Sequence, residues 1–165
     1  RVITEVIALS KKYNLITTVD PKQENFFEYK GVTLFKPNLK ELKEGTKISF
    51  DYTNNPEKFK EAIAILERQL INKISFVTMS ELGVYIKEGT EEIHFPAHIR
   101  NIADVSGAGD TVIAVASLML AAGAPIDLVA GVANLAGGLV CEESGVVSVD
   151  KKRLLLEAEK HVNKN

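Results

Sequence analysis

The sequence has no tryptophan, one cysteine and two methionines among 165 residues. A lone Cys141 cannot close an internal disulfide, which excludes a disulfide-stapled scaffold and fits a reducing compartment, so a cytoplasmic location is expected. An excess of one charge is also missing. Twenty basic and 22 acidic residues leave a net charge of −2, and no basic stripe is available to neutralise a run of phosphates. Nucleic acid is therefore not an expected partner. Long apolar runs are absent as well: the stretches 111–126 and 128–141 are separated by Gly123, Pro125 and Asp127. Each is shorter than the ~20 residues of a spanning helix, so buried core helices are expected and no membrane. The start lacks the charged, apolar and cleavage regions of a signal peptide. It opens at Arg1 directly into a helical pattern, which reads as a start inside a larger protein.

What is present is ordinary for a globular chain: 45% hydrophobic and 25% charged residues, with a length that predicts one domain over 1–165. Apolar residues at Val2, Val6, Leu9 and Tyr13 predict a helix over 2–13. Short β-branched runs predict strands over 15–19, ended by Asp20-Pro21, and over 32–35, ended by Pro37-Asn38. Pro56 opens an amphipathic helix with Phe59, Ile63, Leu66 and Leu70 on one face. A strand over 74–78, a turn over 80–83 and two hairpin strands, 84–87 and 92–95 joined through Gly89, follow. A short strand over 99–103 leads to a Gly-rich turn at 106–109 and helices over 110–122, 126–142 and 150–162. The stretch 45–55 has the least pattern and reads as an exposed loop. This order of elements is α/β.

In open α/β sheets ligands bind beyond the carboxyl ends of the strands. The polar residues of this chain gather at those positions: Asp20 and Lys22, Asn38 and Glu41, Ser80 and Glu81, then Asp104 to Asp110. The run Asp104-Val105-Ser106-Gly107-Ala108-Gly109-Asp110-Thr111 carries the strongest local signal. Small residues let backbone amides point inward, and a helix N-terminus adds roughly half a positive charge. Together they suit a transferring phosphoryl group, with the Asp110 carboxylate beside it as a general base. A Ser-capped helix start with Asp110 favouring the dipole accounts for the same residues without a ligand. The run lacks the Lys-Ser/Thr of a Walker A loop and lies late in the chain.

Asp104 to Asp110 resembles the second signature of the ribokinase-like (PfkB) carbohydrate kinases, an Asp-x-x-Gly-Ala-Gly-Asp run. The resemblance implies that Asp110 is the catalytic base and that Gly107, Ala108 and Gly109 supply the anion-hole amides. It implies a three-layer α/β/α sandwich of which this chain is the C-terminal half, without the sugar-binding signature and lid of the N-terminal half. Asn38-Leu39-Lys40-Glu41 is similar to the family's Asn-x-x-Glu segment, which implies that Asn38 and Glu41 help hold Mg2+ through water. The same spacing is also a capping box, and one pair can serve both ends.

Asp20-Pro21-Lys22 looks like the Asp-Pro-Lys segment of the heptose-7-phosphate kinases within the family, and Thr78 to Gly83 like their Thr-x-Ser-Glu-x-Gly stretch near the nucleotide. By that resemblance Lys22, Ser80, Glu81 and Gly83 are nucleotide-binding. Their alternatives are a solvent-facing lysine after a proline turn and ordinary hairpin turn chemistry. Asn134, beside Gly131, Gly137 and Gly138, either borders the adenine pocket or bonds a neighbouring turn inside the core. Gly145, in a loop before Val146, is a candidate to help close the same pocket. His94, His98 and His161 have no ligand-like spacing.

The function implied is ATP-dependent phosphorylation of a sugar phosphate, narrowly D-glycero-D-manno-heptose 7-phosphate at O1. The cofactors would be ATP and Mg2+, with a monovalent cation as a further candidate. The alternatives are another PfkB-type sugar or nucleoside kinase, a non-catalytic adenine-nucleotide-binding module, or a structural domain without ligand. A sheet cut in half would leave an exposed edge, so a homodimer or association with an N-terminal portion is expected.

Overall fold

The computed structural model describes residues 2–98 and 100–162. By internal contacts they fall into two compact units. The first comprises the chain up to Met79 together with Tyr85–Glu92, and the second Ser80–Val84 with the chain from Ile93 onward.

In the first unit, helix α1 (Val2–Lys12) ends where Asn14 takes a left-handed conformation, φ 52°, and the Leu15 amide donates to the Ser10 carbonyl. Its predicted apolar face is not buried: Val2, Val6, Leu9 and Tyr13 are exposed, as are Leu15 and Ile16 after it. Strands β1 (Thr18–Val19), β2 (Leu34–Phe35) and β3 (Ile74–Thr78) run parallel. Thr18 pairs with Leu34, Phe35 with Ser75, and a bridge from Asn38 to Thr78 extends the ladder. Strands β4 (Val84–Glu88) and β5 (Glu91–Phe95) complete the order β1-β2-β3-β4-β5, so β1 is an edge.

Helix α2 (Leu39–Thr46) follows β2, and α3 (Pro56–Leu70) precedes β3. Proline at the first position and Asn55, whose side chain accepts from the Lys58 amide, start α3. Its face of Phe59, Ile63, Leu66 and Leu70 is buried as the spacing predicts. The expectation of an exposed loop over 45–55 is corrected in two ways. Helix α2 continues to Thr46, and Phe50 is buried with its ring edge-on to Phe59, which also meets Tyr52 and Tyr85.

In the second unit, Ser80–Leu82 form one 3-10 turn, α4 spans Ala108–Ala121, α5 spans Ile126–Val140 and α6 spans Lys151–Val162. Helices α4 and α5 pack on each other, burying Val112, Ala116 and Leu120 of α4 and Ala130, Ala133, Ala136 and Leu139 of α5. None of the helices among the described residues is long and apolar enough to cross a membrane. The strand predicted over 99–103 does not form at 100–103, and Ile99 lies outside the described residues. The Ala103 amide, which a strand would pair sideways, goes elsewhere: it and the amide of Asp104 both donate to the Cys141 carbonyl just past α5, at 2.8 and 3.2 Å.

Candidate active site

The Gly-rich run folds as a turn followed at once by a helix, two residues earlier than its pattern predicts. Gly107 stands at the N-cap of α4 with φ 79°, and a Cβ there would come within 3.1 Å of Val146 Cγ1. Both facts favour glycine. No side chain caps this helix start. Helices α2 and α3, by contrast, have Asn38 and Asn55 doing so. The first regular helical bond is from the Thr111 amide to the Gly107 carbonyl, 2.9 Å. The amides of Gly109 and Asp110 precede it, and the Ala108 amide reaches only the Val105 carbonyl at 3.3 Å. Such an uncapped start, with dipole and amides pointing out of the helix, is an anion site in form. Asp110 is exposed in the first turn of α4.

Asp104 fixes the turn from behind. Its Oδ1 accepts from the Ser106 amide at 2.9 Å and its Oδ2 from the Gly145 amide at 3.1 Å. These bonds, that from Ser106 first, hold its carboxyl below the usual carboxylate range. One side chain thereby ties the loop before α4 to the loop after α5. The sequence marks Asp104 only as the first residue of a motif; its span to Gly145 across 41 positions has no local signal.

Helix α5 aligns the rest of this unit. Asn134 is buried and its Nδ2 donates to the Pro96 carbonyl at 3.0 Å, so the bond to a neighbouring turn is made. One turn on, a Cβ at Gly137 would lie 2.6 Å from Val112 Cγ2, which is how α4 approaches so closely. Ser80 and Glu81 are exposed, Ser80 with φ 53°. Gly83 is buried at φ 89°, and a Cβ there would lie 2.0 Å from the Phe95 carbonyl oxygen and 2.6 Å from the Ala97 amide nitrogen. Gly83 and Asn134 thus bear on the same segment, 95–97, from the turn and from α5. Gly145 has φ 80°, and nothing among the described residues lies within 4 Å of a Cβ added there.

In the first unit Asn38 and Glu41 form a complete capping box: the Glu41 amide donates to Asn38 Oδ1 and the Asn38 amide to Glu41 Oε2, both at 2.8 Å. The box uses one carboxylate oxygen of Glu41. Among the described residues no group of three or more His, Cys, Asp or Glu is placed to hold a metal. Lone Asn38 and Glu41 therefore fit a Mg2+ that keeps waters and phosphate oxygens as its other ligands, not a protein cage. Lys22 is exposed at the start of a 3-10 turn, Gln23–Asn25. Beside it stands a pair that sequence reading passed over. Lys36, 3% exposed at the carboxyl end of β2, meets Asp20 Oδ1 at 3.1 Å. A lysine directly after the apolar pair Leu34-Phe35, in a strand buried on both faces, is the signal that marked it.

The description "pfkB family carbohydrate kinase" applies to a sequence profile that matches residues 2–153. The chain belongs to this family. Its members are phosphotransferases acting on carbohydrates, as the family description says. The bifunctional protein HldE of Rhodopseudomonas palustris (strain BisB18) is 42% identical over 151 residues, covering 90% of this chain and 30% of that protein. HldE of Alcanivorax borkumensis is 37% identical over 150 residues, again 90% of this chain and 31% of its own length. The chain therefore spans under a third of these curated relatives. Phosphofructokinase-2 of Escherichia coli, crystallised with potassium, superposes with a TM-score of 0.84 at 18% identity, over 96% of this chain and 51% of that one. Ribokinase of Arabidopsis thaliana, complexed with ribose and ATP, gives 0.82 at 20% identity, with 96% and 52% covered. At these identities the superpositions speak for the fold, which is ribokinase-like α/β.

Proposed function

We propose that the chain carries the nucleotide-binding, catalytic portion of an ATP-dependent kinase for D-glycero-D-manno-heptose 7-phosphate, acting at O1 in the cytoplasm. One observation supports this above others: α4 begins at Gly107 without a side-chain cap, with Asp110 exposed in its first turn. The likeness to HldE proteins and the segments Asp20-Pro21-Lys22 and Ser80-Glu81 favour the heptose over other sugars.

In this reading Asp110 takes the proton from the attacking hydroxyl as it adds in line to the γ-phosphorus of ATP and the bond to the β,γ-bridging oxygen breaks. The amides of Gly107 and Gly109, and that of Ala108 on leaving its long bond to Val105, receive the developing charge. Lys22 meets a phosphate oxygen as a point charge. Ser80, Glu81 and Gly83 border the nucleotide, and Asn134 supports the 95–97 segment against it. Bound Mg2+ supplies charge neutralisation between phosphates. Asn38 and Glu41 would hold it through water, Glu41 with the oxygen outside its capping box. A monovalent cation, of the kind crystallised with phosphofructokinase-2, would suit the anionic Asp104. The exposed apolar residues of α1 and the β1 edge call for a covering surface, supplied by an N-terminal portion or by a second copy of the chain.

Asp110→Asn tests the reading in the full-length protein, with transfer to heptose 7-phosphate followed by labelled phosphate. Turnover should fall by about 10² to 10⁴ while calorimetric affinity for Mg-ATP is kept. If wild type binds Mg-ATP yet transfers to no sugar, sugar phosphate or nucleoside, the protein is an adenine-nucleotide-binding module; transfer to another of these acceptors makes it a different kinase of the family. Thermal melting unmoved by Mg-ATP would leave a structural domain.

A further inference from the structure

Arg100 lies in the second unit, four residues before Asp104, and its side chain is only 8% exposed. A buried guanidinium needs strong partners, and this one forks to the segment just past α5 and to α6. Its Nη1 donates to Glu142 Oε1 at 2.8 Å, just past α5, and its Nη2 to Glu157 Oε2 at 2.5 Å, on α6. Arg153 of α6 closes the circuit, pairing with Glu142 and lying 3.4 Å from Glu157 Oε1 and 3.9 Å from Glu143. Hydrogen bonds from Arg100, first among the causes, hold the carboxyls of both Glu142 and Glu157 below their usual range. The stem lies along α5, where a Cβ at Gly138 would be 3.0 Å from Nε. That Nε is buried with no acceptor among the described residues, so only the two forked ends hold the group.

Glu142 adjoins Cys141, whose carbonyl receives the Ala103 and Asp104 amides. Asp104 in turn holds the Ser106 and Gly145 amides. The chain of contacts therefore runs from α6 through Arg100 and the end of α5 to the turn at Gly107.

We propose that Arg100 is a positioning residue for this turn: its fork between Glu142 and Glu157 sets where Asp104, and through it the Gly107–Asp110 amides and carboxylate, stand. It touches no reacting atom. The catalytic consequence rests on the kinase reading above, whereas the brace itself does not.

Two arms of one experiment separate them, using the full-length protein. Hydrogen exchange reads the brace without turnover. Arg100→Met should speed exchange at the amides of Ala103, Asp104, Ser106 and Gly145 by about tenfold, with amides of α3 unchanged. Steady-state kinetics read positioning: kcat should fall about 10- to 100-fold while KM for Mg-ATP stays within about twofold. Arg100→Lys keeps the charge but not the fork, and should restore only part of both. Glu157→Gln removes the charge from one tine while leaving an acceptor oxygen, is milder, and decides the matter should Arg100→Met not fold; its effects should be smaller and of the same sign. Unchanged exchange at the four amides, or equal acceleration in α3, overturns the brace. An intact kcat alongside loosened amides overturns the positioning role. A wild type without phosphoryl transfer sinks the kinase reading, and the exchange arm still decides the brace.

Discussion

Replacing Gly83 by alanine tests how tightly the turn over Ser80–Leu82 is bound to the segment beyond β5. Two costs add. At φ 89° an L-residue is strained by about 1–2 kcal/mol. The new Cβ would also lie 2.0 Å from the Phe95 carbonyl oxygen and 2.6 Å from both the Pro96 carbonyl carbon and the Ala97 nitrogen. Those are backbone atoms and cannot turn aside like a side chain, so the segment itself must shift, an overpacking cost of about 1–3 kcal/mol. The sum, about 2–5 kcal/mol, corresponds to a fall in melting temperature of about 4–20 °C for a protein of this size. Gly89→Ala is the control, because Gly89 also has positive φ, 58°, but nothing lies within 4 Å of its added Cβ. Thermal unfolding followed by circular dichroism should separate the two variants by the contact cost alone, about 1–3 kcal/mol. Equal melting temperatures would refute the claim that backbone contact, and not φ, makes glycine necessary at 83.

Ile71 ends α3 in the left-handed region at φ 53°, exposed, where a β-branched residue is disfavoured. Ile71→Gly should therefore raise stability by about 1 kcal/mol in a denaturant titration, and a loss would show that its side chain has a hidden partner. Asp104 has a depressed carboxyl, so its contribution to stability is fully present above its unfolded pKa and is lost as pH falls through the lower folded value. Melting curves from pH 6 down to about pH 2 should show a steeper acid loss for wild type than for Asp104→Asn. Parallel curves would mean that its two backbone bonds do not distinguish folded from unfolded chain.

Where periodicity and end signals agreed, the sequence was readable. Helix α3 has a cap, a proline at its first position and a buried stripe, and it lies where its pattern puts it. Strand β3 matches its predicted bounds, and each hairpin strand runs one residue further into the turn than predicted. The helix start at Gly107 was legible to within two residues, because small residues followed by a carboxylate favour a tight helix start. Failures came where one long-range bond outweighed local preference. The run 100–103 has only Ile102 in favour of a strand, and the Cys141 carbonyl takes the amide of its last residue, Ala103, together with that of Asp104. Helix α2 is eight residues long and contains Gly45, which packs under the Phe26 ring, so its pattern is short and its propensity poor. Lys36 and Arg100 find their carboxylate partners 16 and 42 positions away, beyond the reach of any local pattern.

The carbonyl that anchors the loop before α4 belongs to the chain's only cysteine, whose thiol is buried and pushed up in pKa by desolvation and by Asp104. A thiol so placed reacts with alkylating reagents only while its cover is lifted, since the thiolate is the nucleophile. Within this chain any added mass must then sit on Cys141. The chain thus carries its own reporter: the pace of labelling at Cys141 counts how often the floor beneath the Asp104 loop comes apart.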